Sequence, residues 1–223
     1  MAGQRARSAL AKDERRANLV AAAGRLFEQA DFSAITIARV AEVAGVAKGT
    51  AYLYFANKET LFLELMRAEF VAWMEVFLAS LMRQRAASLV DRLPKLIAKS
   101  FADRPNIRRL MVLQHTVLEA NLGDAAALDF KLQMRVLMDQ VAAAIVPKIP
   151  GWRIADAQVF LMQTIALVIG VTQLSEPPPV IARVLASDAR LKPMRIAFQP
   201  FLALTLTALL AGNRRPSKQS KRA

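Results

Sequence analysis

The chain has 223 residues, 55% of them hydrophobic, with 31 Lys and Arg against 18 Asp and Glu, a formal net charge of +13 and a pI of about 10.9. That length suits one large or two small domains with a real core, and the absence of cysteine excludes disulfides, thiol catalysis and cysteine metal sites and fits the cytoplasm. The basic balance favours a polyanionic partner, either nucleic acid or an anionic membrane surface. The charge is uneven: residues 1–12 carry Arg5, Arg7 and Lys12 and no acid, and residues 213–223 carry Arg214, Arg215, Lys218, Lys221 and Arg222 and no acid. These ends read as a basic N-terminal arm and a basic disordered tail. The arm is either solvated or in reach of DNA beside the first helices. No signal peptide is expected, because the N-terminus is charged and lacks an apolar core.

The spacing predicts a first helix over 13–30, where Leu19, Ala22, Ala23, Leu26, Phe27 and Ala30 form one apolar stripe. Phe32 and Ile35 follow in a short loop and dock into the same small core. A second helix is expected over 36–44. Thr36 can cap it, because its hydroxyl accepts a backbone N–H that the helix leaves orphaned. Ile37, Val40, Ala41 and Ala44 supply its apolar face. Gly45 makes the turn, since glycine adopts positive φ at little cost. A third helix is expected over 47–54, with Val46, Ala51 and Phe55 inward.

Two helices joined by a tight glycine turn make a helix-turn-helix. The second helix of such a pair fits a major groove, with its N-terminal residues at the base edges. Lys48 can reach guanine or a phosphate, Gly49 lets the backbone come close, and Thr50 can bond a base or a phosphate. Tyr52 and Tyr54 carry hydroxyls toward phosphates. The same residues also fit a plain helical pair, for exposed tyrosines beside a lysine need no partner.

Asn57 is expected to cap a long helix that Lys58 opens and that meets no breaker until after Arg83. At 1.5 Å per residue it spans roughly 40 Å, enough to link a DNA-binding domain to the rest of the chain. Phe62, Leu65, Met66, Phe70, Trp73, Met74 and Phe77 supply its apolar faces. A helix within 88–102 opens on a Ser88/Asp91 capping-box pattern, and Pro94 inside it should kink it or move its start. The next runs from Pro105 to about Asn121 and stops at Gly123; Asp124 caps another that ends before Pro147. The stretch 154–174 is apolar almost all round, which argues for burial on more than one side. Pro177-Pro178-Pro179 ends it, a short piece follows over 180–187, and a last helix spans about 193–210, where Pro200 predicts a kink or break. The stretches 157–175 and 196–213 carry no charge but fall short of about 20 consecutive apolar residues, so buried interface helices are expected there. The fold class is all-α: a three-helix DNA-binding domain over 13–56, then a helical bundle over 57–212.

The run Ala44-Gly45-Val46-Ala47-Lys48-Gly49-Thr50, then Tyr52-Leu53-Tyr54-Phe55, Asn57-Lys58-Glu59 and Leu61-Phe62, resembles the N-terminal DNA-binding domain of the TetR family of transcriptional repressors. The resemblance covers residues 13–66 through specific residues. It implies a homodimer built on the last two long helices, an all-helical ligand-binding C-terminal domain, and release from the operator when a small molecule binds. On this chain the DNA-contacting set becomes Thr36, Ala47, Lys48, Gly49, Thr50, Tyr52, Leu53, Tyr54 and Lys58. Two positions depart from the pattern. Asp31 stands where relatives usually carry Gly at the end of the first helix, and Asp tolerates the left-handed region better than most residues. Leu53 stands where many carry an aromatic or polar residue; it cannot bond a phosphate but can touch a thymine methyl.

Catalysis finds little support. His115 is the only histidine, and Glu119 one turn on gives too few ligands for a metal. There is no GxSxG elbow, no GxxxxGK[ST] and no GxGxxG. No cofactor or metal and no enzymatic activity are expected. His115 reads as a polar residue in a pocket wall or as a satisfied core histidine. If the later helices enclose a cavity, Trp73, Phe77, Phe101, Met111, His115, Met134, Met138 and Phe160 are its candidate walls, though such stripes also make plain core. The leading reading is a homodimeric repressor released from a palindromic operator by a small apolar ligand. The alternatives are a DNA-binding regulator with no effector, and a basic helical protein docking on anionic membranes.

Overall fold

The computed structural model describes residues 2–120 and 122–213, with side chains from Leu10 onward except at 86 and 87. Among these residues there are ten α-helices and no strand: α1 (Ala2–Gln29), α2 (Ile37–Val43), α3 (Lys48–Tyr54), α4 (Lys58–Met82), α5 (Ala86–Ala102), α6 (Pro105–Leu113), α7 (Asp124–Ile145), α8 (Ile154–Ser175), α9 (Pro179–Ser187) and α10 (Phe198–Asn213). The contacts form two compact units. One is Met1–Phe70 with Leu113–Phe130, and the other is Val71–Val112 with Lys131–Ala223. The division falls inside α4, α6 and α7, not between elements.

The first unit closes around Phe62, which is fully buried and meets the edges of two other rings. Phe27 lies at 5.3 Å and Phe32 at 4.8 Å, both nearly perpendicular. Leu19, Ala22, Ala23 and Phe27 of α1, Ile37, Val40 and Ala41 of α2, and Ala51 and Phe55 around α3 complete this core. Gly24 is buried as well. A Cβ there would stand 3.3 Å from Leu65 Cδ1, so α1 approaches α4 closely at that point. Across the same unit Glu64 of α4 binds Arg67 one turn on and Arg16 of α1 at 3.2 Å. Burial pushes the Glu64 carboxyl up, but the two guanidiniums outweigh it and hold it below the usual carboxylate range.

In the second unit α10 packs on both α5 and α8. Leu89, Leu93, Ile97 and Phe101 of α5 and Phe198, Leu202, Leu206 and Leu210 of α10 are buried at helical spacing. In α8 the hydroxyls of Thr164 and Thr172 donate to the carbonyls of Phe160 and Val168, which satisfies them inside an apolar helix. Lys148 donates from Nζ to the carbonyls of Leu81 at 2.6 Å and Gln84 at 2.9 Å, closing the C-terminal end of α4 with a cation. One face of α8 stays open along Ala155, Val159, Met162 and Ala166, and one of α10 along Phe201, Leu204, Ala208 and Ala211. Among the described residues α8 alone is long and apolar enough to cross a membrane by length and composition, with a mean hydropathy of 1.8.

Several expected boundaries move. α1 begins at Ala2, far ahead of residue 13, because the run Ala6-Arg7-Ser8-Ala9-Leu10-Ala11 contains no breaker. The side chains of Arg5 and Arg7 in the expected basic arm, and residues 214–223 of the expected tail, lie outside the described residues. The Ser88/Asp91 capping box does not form. α5 starts earlier, with Arg85 as its cap, and the Ser88 hydroxyl donates to the Arg85 carbonyl. α5 runs through Pro94, so that proline does not move its start. α6 ends at Leu113 and passes into a π-helical turn over Gln114–Leu118. α10 starts at Phe198, not near 193. That places Pro200 in the first turn, where its missing N–H has no partner to lose, and no break follows.

Candidate nucleic-acid interface

The helix-turn-helix is set by three local devices. Thr36 caps α2, its hydroxyl accepting the Arg39 N–H at 3.2 Å. Gly45 takes φ +69°, the left-handed conformation that ends α2. The Val46 N–H then bonds the Ala41 carbonyl at 2.9 Å, which fixes the turn into α3. Ala47 sits extended ahead of α3 with no side-chain cap of its own.

α3 buries Ala51, and Phe55 just beyond it is buried under the Arg16 guanidinium at 5.1 Å. Those two anchors turn the rest of the helix outward. Lys48 and Gly49 are exposed, Thr50 and Tyr54 are half-buried at the rim, and Tyr52 is exposed. Leu53 is 82% exposed, which is a large apolar group left in water with no internal role. Thr36 and Ala47 are exposed at the two ends of the turn. The face therefore offers one cation, hydroxyls, a bare glycine backbone and an apolar tip, the mixture that reads base edges and phosphates. Sequence reading passed over Arg39, an exposed cation on α2 that pairs with Glu42 at 2.6 Å. Its signal was a basic residue just inside a capped helix.

Lys58 makes an internal contact that its expected role does not include. Its Nζ donates to the Phe32 carbonyl at 2.7 Å and lies 3.9 Å over the Phe32 ring. Burial lowers its pKa from the usual lysine value, and Glu59 beside it pulls part of the way back. Asn57 caps α4 as expected, its Oδ1 accepting the Thr60 N–H at 2.8 Å, while Thr60 returns bonds to Asn57. Lys58 thus clamps the loop after α1 to the start of α4.

The candidate ligand-contacting residues separate. Trp73 stacks on Phe77 at 4.9 Å and on Phe101 at 5.0 Å, and its indole N–H donates to Ser100 Oγ at 3.0 Å. Met111 and Phe160 are buried, and Met134 and Met138 are half-buried, all in the second unit. His115 is neither a core residue nor grouped with these. It sits on the π-helical turn in the first unit, with its side chain 56% exposed and Nδ1 at 3.1 Å from Glu119 Oε2. Among the described residues no group of three or more acidic or histidine side chains could hold a metal ion.

Comparison with known proteins places this geometry. Residues 19–65 match the family described as bacterial regulatory proteins, tetR family, and residues 67–216 match the tetracyclin repressor-like C-terminal domain. No curated protein matches the sequence. Solved structures share the fold at low identity. The fatty acid degradation regulator FadR from Bacillus halodurans is 16% identical, with 88% of this chain and 94% of that one covered at a TM-score of 0.56. FadR from Bacillus subtilis, in complex with stearoyl-CoA, is 17% identical, with 89% and 98% covered at 0.54. A TetR/AcrR family regulator from Thermobifida fusca is 16% identical, with 91% and 100% covered at 0.53. With the family matched over both the helix-turn-helix and the helical domain behind it, this chain belongs to the TetR family of transcriptional regulators.

Proposed function

We propose that this DNA-binding regulator is a homodimeric, cytoplasmic repressor that leaves a palindromic operator when a small apolar ligand binds. The observation that carries the reading is α3, which spends Ala51 on the core and turns Lys48, Gly49, Thr50, Tyr52 and Leu53 to solvent. The open apolar faces of α8 and α10 support a dimer, because more than scattered apolar surface is left uncovered in one chain. Two copies related by a two-fold axis would set two α3 helices on two half-sites. Stearoyl-CoA, carried by the Bacillus subtilis FadR structure, is the first effector to test. By linkage, the operator must weaken effector binding by the factor the effector weakens the operator.

The test is fluorescence anisotropy with DNA flanking the protein's own gene, at two salt concentrations. Lys48→Ala should cost about 1–3 kcal/mol at a specific site and flatten the salt dependence. Equal, salt-labile binding to any DNA would leave only the +13 charge as the cause. An effector that binds without weakening the operator complex would remove the release mechanism. The reading without an effector would then stand.

A further inference from the structure

Among the described residues α9 is the only α-helix that buries nothing. Yet it is amphipathic. Val180, Ile181 and Val184 share one side and are 59%, 48% and 50% exposed. The segment is not slack. Pro177-Pro178-Pro179 leads into it with fixed φ, and Pro179 takes the first helical position. Arg195 reaches back, donating from Nε to the Leu185 carbonyl at 2.6 Å and from Nη2 to the Ala186 carbonyl at 3.2 Å. A cation over the last carbonyls of a helix is favoured by its dipole. Asp188 caps the following 3-10 turn, accepting the Arg190 N–H at 2.8 Å. Residues 176–195 are thus an arm held in shape by its own bonds, with its apolar side open. A helix of 9 residues is too short to hold in water by propensity alone and needs a surface to lie on.

The geometry points to a second copy of this chain as that surface: α9 and the turn after it dock across the partner subunit and extend the α8–α10 interface. This rests on the proposed dimer. Two observations favour the second copy. Exposed apolar side chains recur along the chain from Leu174 at the end of α8 through Val180, Ile181, Val184 and Met194 to Phe201 and Leu204 of α10, interrupted by single charged residues. The area also asks for it. Val159, Met162, Phe201 and Leu204, at on the order of 100 Å² each, supply about half of the ~800 Å² per partner of a standard interface. The arm brings a similar area.

Sedimentation velocity of the full chain over a dilution series tests this with two sets of exposed-site variants, checked for helicity by circular dichroism. Val180→Asp with Val184→Asp should raise the dimer Kd at least tenfold, and Val184→Ser alone by a smaller step. Leu204→Asp on α10 should give monomer. An arm variant that dimerises like wild type, beside a monomeric Leu204→Asp, overturns the arm and leaves the α8–α10 dimer standing. A Leu204→Asp protein that dimerises normally overturns the interface on which both rest. The chain has no cysteine, so Val184→Cys carries a photo-crosslinker at one place. It should attach to the other copy, and attachment only within its own chain overturns the proposal. Co-sedimentation with anionic vesicles that the arm variant loses, with its dimer unchanged, would make a lipid surface the occupant and overturn it too.

Discussion

The two units of this molecule hold a buried charge in opposite ways. In the first, the acid Glu64 is served by two guanidiniums, one from its own helix and one from α1, and both of those cations keep contact with water. In the second, the cation Arg108 is 8% exposed and has one acid, Glu176, at 2.6 Å from Nη2. The Phe198 ring lies 4.1 Å from its Cζ, and its Nε finds no partner among the described residues. Burial lowers the Arg108 pKa and Glu176 opposes this without restoring the ordinary value. An over-supplied acid survives the loss of one partner. An under-supplied cation does not, because an unpaired buried charge costs more than the pair contributed.

The aromatic cores give the largest effect and ask whether the units stand separately. Phe62→Ala removes a side chain that two rings meet edge-on and should cost about 3–5 kcal/mol. Denaturant unfolding followed by Trp73 and Trp152, both in the second unit, reads the outcome. If the indole signal keeps the wild-type midpoint while operator binding is lost, the units unfold independently. A midpoint that falls with the helical signal makes them one cooperative body.

The ion pairs come next. Glu176→Ala should destabilise by about 2–3 kcal/mol, since it strands the Arg108 guanidinium. Arg108→Met, which keeps volume and removes the charge, should be near neutral. Equal losses in the two variants would mean that the pair, not the stranded charge, carries the energy, and the contrast with Glu64 would fail.

Much of the first unit was legible because its determinants are local. The Thr36 cap, the Gly45 turn and the Asn57 cap each act within four residues, and each stands where the sequence places it. The internal bond of Lys58 has no signal in the sequence because its partner, the Phe32 carbonyl, lies 26 residues away, beyond any periodic pattern. Lys148 on the end of α4 escaped notice for the same reason, at a separation of 67 residues. The second unit was legible as helices but not at their ends. The last helix is expected from about residue 193, yet Asp188 and Arg195 hold residues 189–194 as a 3-10 turn closing α9. His115 carried no signal that separates an exposed histidine from a buried one.

The turn itself separates backbone from side chain as its source of precision. Gly45→Ala keeps an open environment, with nothing within 4 Å of the new Cβ, but forces φ +69° on an L side chain. It should cost about 1–2 kcal/mol. Thr36→Ala removes only the cap and should cost about 1 kcal/mol. Both are read as melting shifts of the first unit. Gly45→Asn, which tolerates the left-handed region, should recover much of the loss. Failure of Asn to recover it would place the cost outside the backbone conformation.

Glu64 gives the smallest effect and the one that depends on pH. Its folded pKa lies below the unfolded one, so the folded state prefers the carboxylate. The stabilisation is therefore fully present above the unfolded pKa of about 4.3 and is lost as pH falls through the depressed folded value. Because Arg16 and Arg67 remain partly in water, the pairs are screened and should supply under about 1 kcal/mol. Glu64→Gln should match wild type below that window and fall short of it at neutral pH, where chemical denaturation of both proteins reads the gap. Salt near 1 M shortens the screening length to roughly 3 Å and should close most of it. A gap that stays open in high salt, or one that persists once the folded carboxyl is protonated, would assign Glu64 a packing role and remove the electrostatic half of the contrast with Arg108.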